Sequence, residues 1–140
     1  MIFLAYLNFT ILLLLGLLHF YWAFGGKWAF EKALPTNEEG KKLMNPKTMD
    51  SIVVGFGLTL FALFHLVRTE IVLMDIPSWL TNSGLWVITS IFILRSIGDF
   101  KYVGFSKKVR ETEFALRDTK FYSPLCLVIG MIALILEILI

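Results

Sequence analysis

Long apolar stretches without charge alternate along this chain with short charged ones. No charged residue occurs from Met1 to Gly26 or from Ile76 to Leu94. Ser51 to Val67 carries only His65, and Phe121 to Leu136 carries no charge before Glu137 interrupts the run. A helix of about 17–25 apolar residues matches the hydrocarbon thickness of a bilayer. The pattern therefore predicts four transmembrane helices, at about 2–24, 50–68, 78–97 and 122–139. A soluble helical bundle would place polar residues every few positions around each helix, and these segments do not. The expected fold is all-α, an integral membrane bundle in a single domain over residues 1–140.

Composition supports this pattern. Apolar residues make up 57% and charged residues 17% of the chain, against soluble averages of roughly 45–50% and 25%. The first segment lacks the basic flank and small-residue cleavage site of a signal peptide and is expected to stay in the mature protein. A net charge of +2 gives no reason to expect a nucleic-acid partner. The single cysteine, Cys126, excludes an intrachain disulfide and reads as a small packing residue. Eleven of the thirteen lysines and arginines fall in the first and third loops, the others being Arg68 and Arg95. The positive-inside rule then makes these two basic loops cytoplasmic. The expected location is a cell membrane, multi-pass, with both termini and the acidic second loop outside.

Local signals refine the elements. Gly25-Gly26 ends the first helix, with Tyr21, Trp22 and Trp28 suited to an interfacial belt. Trp28 to Leu34 reads as a short interfacial helix stopped by Pro35, and Asn45-Pro46 as a cap with proline at the first helical position. Gly55 and Gly57 allow close approach of a neighbouring helix. Ser123-Pro124 reads as the start of the last helix, whose Cys126, Gly130, Ala133 and Glu137 share one face.

In this topology the ionisable residues form two layers. His19, Arg95 and Asp99 lie toward the cytoplasmic helix ends, and His65, Arg68 and Glu137 toward the other ends. Asn8 and His19 are about three turns apart and share a face. Asp99 follows Arg95 at i+4, where it can pair with it. Arg68 is expected to snorkel, with Glu137 as its partner. The Lys107, Lys108, Arg110 cluster reads as a solvated patch touching anionic lipid. Each layer holds one histidine, with no His-x-x-x-His or Cys-x-x-Cys spacing, so no metal site is expected. No nucleotide-binding glycine motif is present and no cofactor is implied.

Three ordered motifs resemble those of a known family. They are His19-Phe-Tyr-Trp22-Ala-Phe-Gly25-Gly26 with Pro35 beyond, Arg95-Ser-Ile-Gly98-Asp99-Phe-Lys-Tyr102-Val-Gly104-Phe105, and Asp118-Thr-Lys-Phe-Tyr122-Ser123-Pro124-Leu. Together they resemble the bacterial integral membrane family catalogued as domain of unknown function 3995. The resemblance implies a four-span membrane protein and supplies no activity, substrate or cofactor. The residues themselves suggest a small amphipathic or lipid-like ligand held near His19, Trp22, Arg95, Asp99, Tyr102 and Tyr122. The alternatives are a membrane-embedded enzyme using His19 or Asp99 as acid–base group, and a small transporter acting as a homo-oligomer. Membrane lipids are the expected surroundings in each case.

Overall fold

Four helices account for nearly all the regular structure of the computed structural model, which describes residues 1–140. They are α1 (Ile2–Ala23), α2 (Thr48–Arg68), α3 (Ser78–Ile97) and α4 (Glu113–Leu139). Each is long and apolar enough to cross a membrane. α1 packs along α2 and α3 along α4, and thinner α1–α4 and α2–α3 contacts join the two pairs. Small residues make the pairs close. At the α1–α2 crossing, a Cβ added to Gly16 would lie 3.0 Å from the Gly55 carbonyl oxygen and 2.8 Å from Thr59 Oγ1. At the α3–α4 crossing, a Cβ on Gly130 would lie 2.9 Å from the Ile93 side chain. The Gly130–Ala133 stripe therefore faces protein, as expected, whereas Gly57 faces open space.

The core runs along the bundle axis through Leu12, Ala62, Leu85, Ile88, Ile129, Ala133 and Leu136. Around it the helices present apolar side chains outward, among them Leu14, Leu17, Val53, Leu60, Leu94, Met131 and Ile138. That much exposed hydrocarbon suits lipid and not water. Several hydroxyls on the helices satisfy themselves locally: Thr10, Thr59 and Ser90 each donate to the carbonyl four residues back, at 2.8 Å. An apolar surround requires such internal pairing.

Three boundaries differ from the sequence expectation. α2 begins at Thr48, where the Asp50 carboxylate accepts the Lys47 N–H at 2.7 Å, so Asn45-Pro46 lies outside the helix. Trp28–Leu34 holds only a 3₁₀ turn, Glu31–Ala33, because Ala29 adopts φ 61°, a left-handed conformation that no helix continues through. α4 begins ten residues before Ser123, capped by Thr112 Oγ1 accepting the Ala115 N–H at 3.1 Å. Pro124 is thus inside a helix. Its ring would strike the carbonyl four residues back, at Lys120, and the helix widens to a π turn over Asp118–Tyr122 just upstream.

Candidate functional site

The bundle has two unlike ends. One carries both termini and the short second loop, and the other carries the two long basic loops. At the long-loop end, the chain between α3 and α4 folds back on the last turn of α3. Phe105 N–H donates to the Ser96 carbonyl at 2.8 Å and Ser106 N–H to that of Ile97 at 3.1 Å, which satisfies two helix-terminal carbonyls. The reversal requires glycine at two positions. Gly98 (φ 91°) and Gly104 (φ 83°) lie so close that a Cβ on either would overlap backbone of the opposing strand of the loop.

Asp118 ties this loop to the bundle. The π turn carries it fully out of solvent. One carboxylate oxygen accepts from Arg95 Nη2 at 2.9 Å, and the other from Gly104 N–H at 2.7 Å and Lys107 Nζ at 3.1 Å. Lys107 Nζ also donates to the Gly104 carbonyl at 2.9 Å. Lys107 is itself buried, with 1% of its surface exposed. The expected solvated patch therefore loses its first member. Lys108 is exposed, and exposed Arg110 donates to the Phe105 carbonyl.

The expected Arg95–Asp99 pair does not form. α3 stops at Ile97 and the chain turns at Gly98, so Asp99 never reaches the i+4 position on the helix face. Its Oδ1 instead accepts the N–H groups of Lys101, Tyr102 and Val103 at 2.8–3.0 Å. Slight burial works to raise its pKa, but these backbone donors prevail and hold the carboxyl below its usual range. Tyr102 stays beside it, its ring under Lys101 Nζ at 5.0 Å.

The other four candidates meet at one cavity. It measures about 600 Å³, and its lining includes His19, Trp22, Arg95 and Tyr122 but neither Asp99 nor Tyr102. α1, α2 and the first loop supply most of the wall, with Phe92 of α3 and Leu125 and Cys126 of α4 completing it. His19 Nδ1 donates to the Leu15 carbonyl at 2.7 Å, which leaves Nε2 as an acceptor in the neutral ring. Its imidazole meets the Trp22 ring edge-on at 4.9 Å, and Trp22 Nε1 donates to the Trp28 carbonyl at 2.8 Å. Tyr122 donates to the Lys32 carbonyl at 2.9 Å and so latches the first loop to α4. Arg95 places Nη2 on Asp118, while its Nη1 is shielded from solvent and meets no protein acceptor.

The terminal end is held by a different link. Asn8, fully buried, donates from Nδ2 to the Ile129 carbonyl and to His65 Nε2, both at 3.0 Å. His65 Nδ1 donates to the Phe61 carbonyl, so the ring is the neutral Nδ1–H form. One amide thereby links α1, α2 and α4. Arg68 and Glu137 approach to 3.7 Å, the expected pairing, though too far for a hydrogen bond.

The structural roles of Asn8, Lys107 and Asp118 escaped the sequence reading. Helical spacing puts Asn8 on one face with His19, whereas its contacts are to His65 and Ile129. The available clue for Asp118 was its place at the head of a long apolar run. Lys107 carries no such mark.

Fold and surface together define a multi-pass membrane protein of four helices. The chain belongs to the family described as Protein of unknown function (DUF3995), whose model matches residues 12–133. Searches of curated proteins and of solved structures found no match.

Proposed function

We propose that this protein binds a small amphipathic or lipid-like molecule in the cavity at its long-loop end, and that this end faces the cytoplasm. The observation that carries the binding reading is the cavity's composition. Its wall is mainly hydrocarbon, and Arg95, a cation whose side chain is one-third exposed, is among the residues that line it. Ligand pockets usually combine such walls with a few placed polar groups, at volumes of about 300–1,000 Å³. The first loop covers the cavity and is held by Tyr122, which gives a route for entry without unfolding a helix. Asp99, off the cavity and with its Oδ1 engaged by backbone, takes no part in this reading.

Native mass spectrometry of protein purified in mild detergent tests the binding. The expected result is an adduct of one small amphiphile per chain, lost on collisional activation. Release of only bare protein across several mild detergents would count against it. The orientation rests on the eleven lysines and arginines of the two long loops and the first turns of α4, which resist translocation. Cysteines placed at Glu39 and Glu113 in a Cys126→Ala background should react with impermeant reagents only after cells are opened. Reaction in intact cells would reverse the assignment.

A further inference from the structure

We infer that the occupant carries one negative charge on its head group, a carboxylate or phosphodiester joined to an apolar chain, and that Arg95 selects it. The inference rests on the cavity being a ligand site. Charge around the cavity supports it. Asp118 is shared by two cations, Arg95 and Lys107, so the cluster keeps one positive charge in excess. Lys107 is buried within its own loop, bonded to Asp118 and the Gly104 carbonyl, and does not line the cavity. The excess therefore falls to Arg95, which lines the cavity with its side chain one-third exposed. A guanidinium edge suits a carboxylate or phosphate oxygen.

The other polar groups of the wall narrow the choice. Tyr122 spends its hydroxyl hydrogen on the Lys32 carbonyl, and His19 spends its Nδ1–H on the Leu15 carbonyl. Asp50, exposed on α2, is the one acidic residue of the lining. It disfavours a doubly charged head, and the guanidinium disfavours a cationic one. Leu15, Leu18, Val54, Leu58, Phe92 and Leu125 offer hydrocarbon to a chain.

The test is a binding titration of the full chain in uncharged maltoside detergent. The probes are palmitate, palmitoyl-lysophosphatidylglycerol, hexadecanol, hexadecyltrimethylammonium and inorganic phosphate. At least one of the two anionic amphiphiles should bind about tenfold or more tighter than hexadecanol, the scale of one charge-assisted hydrogen bond. The tighter of the two identifies the source as a free fatty acid or a lipid head group. Arg95→Gln should bring anion and alcohol to parity, while Arg95→Lys keeps part of the preference. Equal binding of alcohol and anions by the native chain overturns the charge inference but leaves the cavity reading standing. So does an undiminished preference in Arg95→Gln. If that variant fails to fold, the comparison on the native chain decides alone. Binding of inorganic phosphate as tight as that of palmitate would also overturn it, by showing an ion site indifferent to the chain. If no amphiphile binds, or if Cys126→Trp in the cavity wall leaves binding intact, the cavity reading itself falls.

Discussion

Asp118→Asn is the sharpest perturbation of this bundle. The carboxylate takes three donors, Arg95 on one oxygen and Gly104 and Lys107 on the other. An amide offers one acceptor oxygen, so whichever way it turns its NH₂ faces a donor. With the oxygen toward Gly104 and Lys107, the clash falls on Arg95, whose side chain is 33% exposed and can turn toward water. Lys107 has no such escape, because its side chain is fully buried. Removing one member of a buried pair costs roughly 3–5 kcal/mol, against about 0–1 kcal/mol for an exposed one. Lys107 keeps its bond to the Gly104 carbonyl, which places the expectation at the low end, about 3 kcal/mol.

Reversible unfolding in mixed micelles, followed by fluorescence of the four tryptophans, measures the effect. The second arm is a double-mutant cycle with Lys107→Met. Removing both charges should cost clearly less than the sum of the single changes, with a coupling of about 1.5 kcal/mol or more. A second cycle, Arg95→Met with Asp99→Asn, should be additive within about 0.5 kcal/mol, because those residues do not meet. An Asp118→Asn cost below about 1 kcal/mol, or simple additivity with Lys107→Met, would refute the brace.

Three further outcomes follow from the same geometry. Gly130→Leu should destabilise the bundle by roughly 1–3 kcal/mol or more, since even its Cβ would press on Ile93, while Leu127→Ala on the outer face should cost less; equal tolerance in the unfolding assay would show that α4 is packed otherwise. Asn8→Ala should cost about 1–3 kcal/mol by leaving the buried His65 Nε2 without its donor, and Asn8→Ala combined with His65→Leu should be less than additive; full additivity would deny the link. The Asp99 carboxyl has its pKa depressed on folding, so its contribution is present above the ordinary carboxylate range and is lost as pH falls through the depressed value. Amide resonances of Lys101, Tyr102 and Val103 should therefore move together only below about pH 4, and movement centred well above that would contradict the donor arrangement.

Four apolar stretches were legible because a bilayer imposes a length and a composition on every crossing. Pairings along a helix face were legible where the helix continues, as with Gly130 and Ala133, and failed where it does not. Arg95 and Asp99 have i,i+4 spacing, yet Gly98 with φ 91° ends the helix between them. Local spacing cannot show whether a glycine will stop a helix or pack inside it, and Gly55 and Gly98 illustrate the two outcomes. Ser123-Pro124 misled for a related reason. Proline is tolerated at a helix start and also after a widened turn, and only the tertiary demand for a carboxylate at Asp118 favours the second. Lys107 is the extreme case. A lysine in a charged loop is ordinarily solvated, and its burial depends on a partner eleven residues away on another element. His19, Trp22, Arg95 and Tyr122 share a level in the bundle, and that level brings them to one cavity wall. Asp99 and Tyr102 share the level but belong to the reversing loop.

The two ends of the bundle solve the same problem differently, and the difference locates the cavity. At the terminal end, one asparagine joins three helices and a neutral histidine completes the link, so polar contacts tie α1, α2 and α4 to one another directly. At the long-loop end, the α3–α4 pair secures itself through Asp118 and its own loop, without drawing in α1 or α2. The Tyr122 latch reaches only the first loop. Nothing polar on α3 or α4 binds α1 or α2 directly at that level, so the pairs are joined there by apolar contact and the covering loop. A brace confined to one pair fixes Arg95 while leaving the space beside it to be filled by side chains or by a ligand. That arrangement suits a pocket whose charged group must be held still while its wall admits something of variable shape.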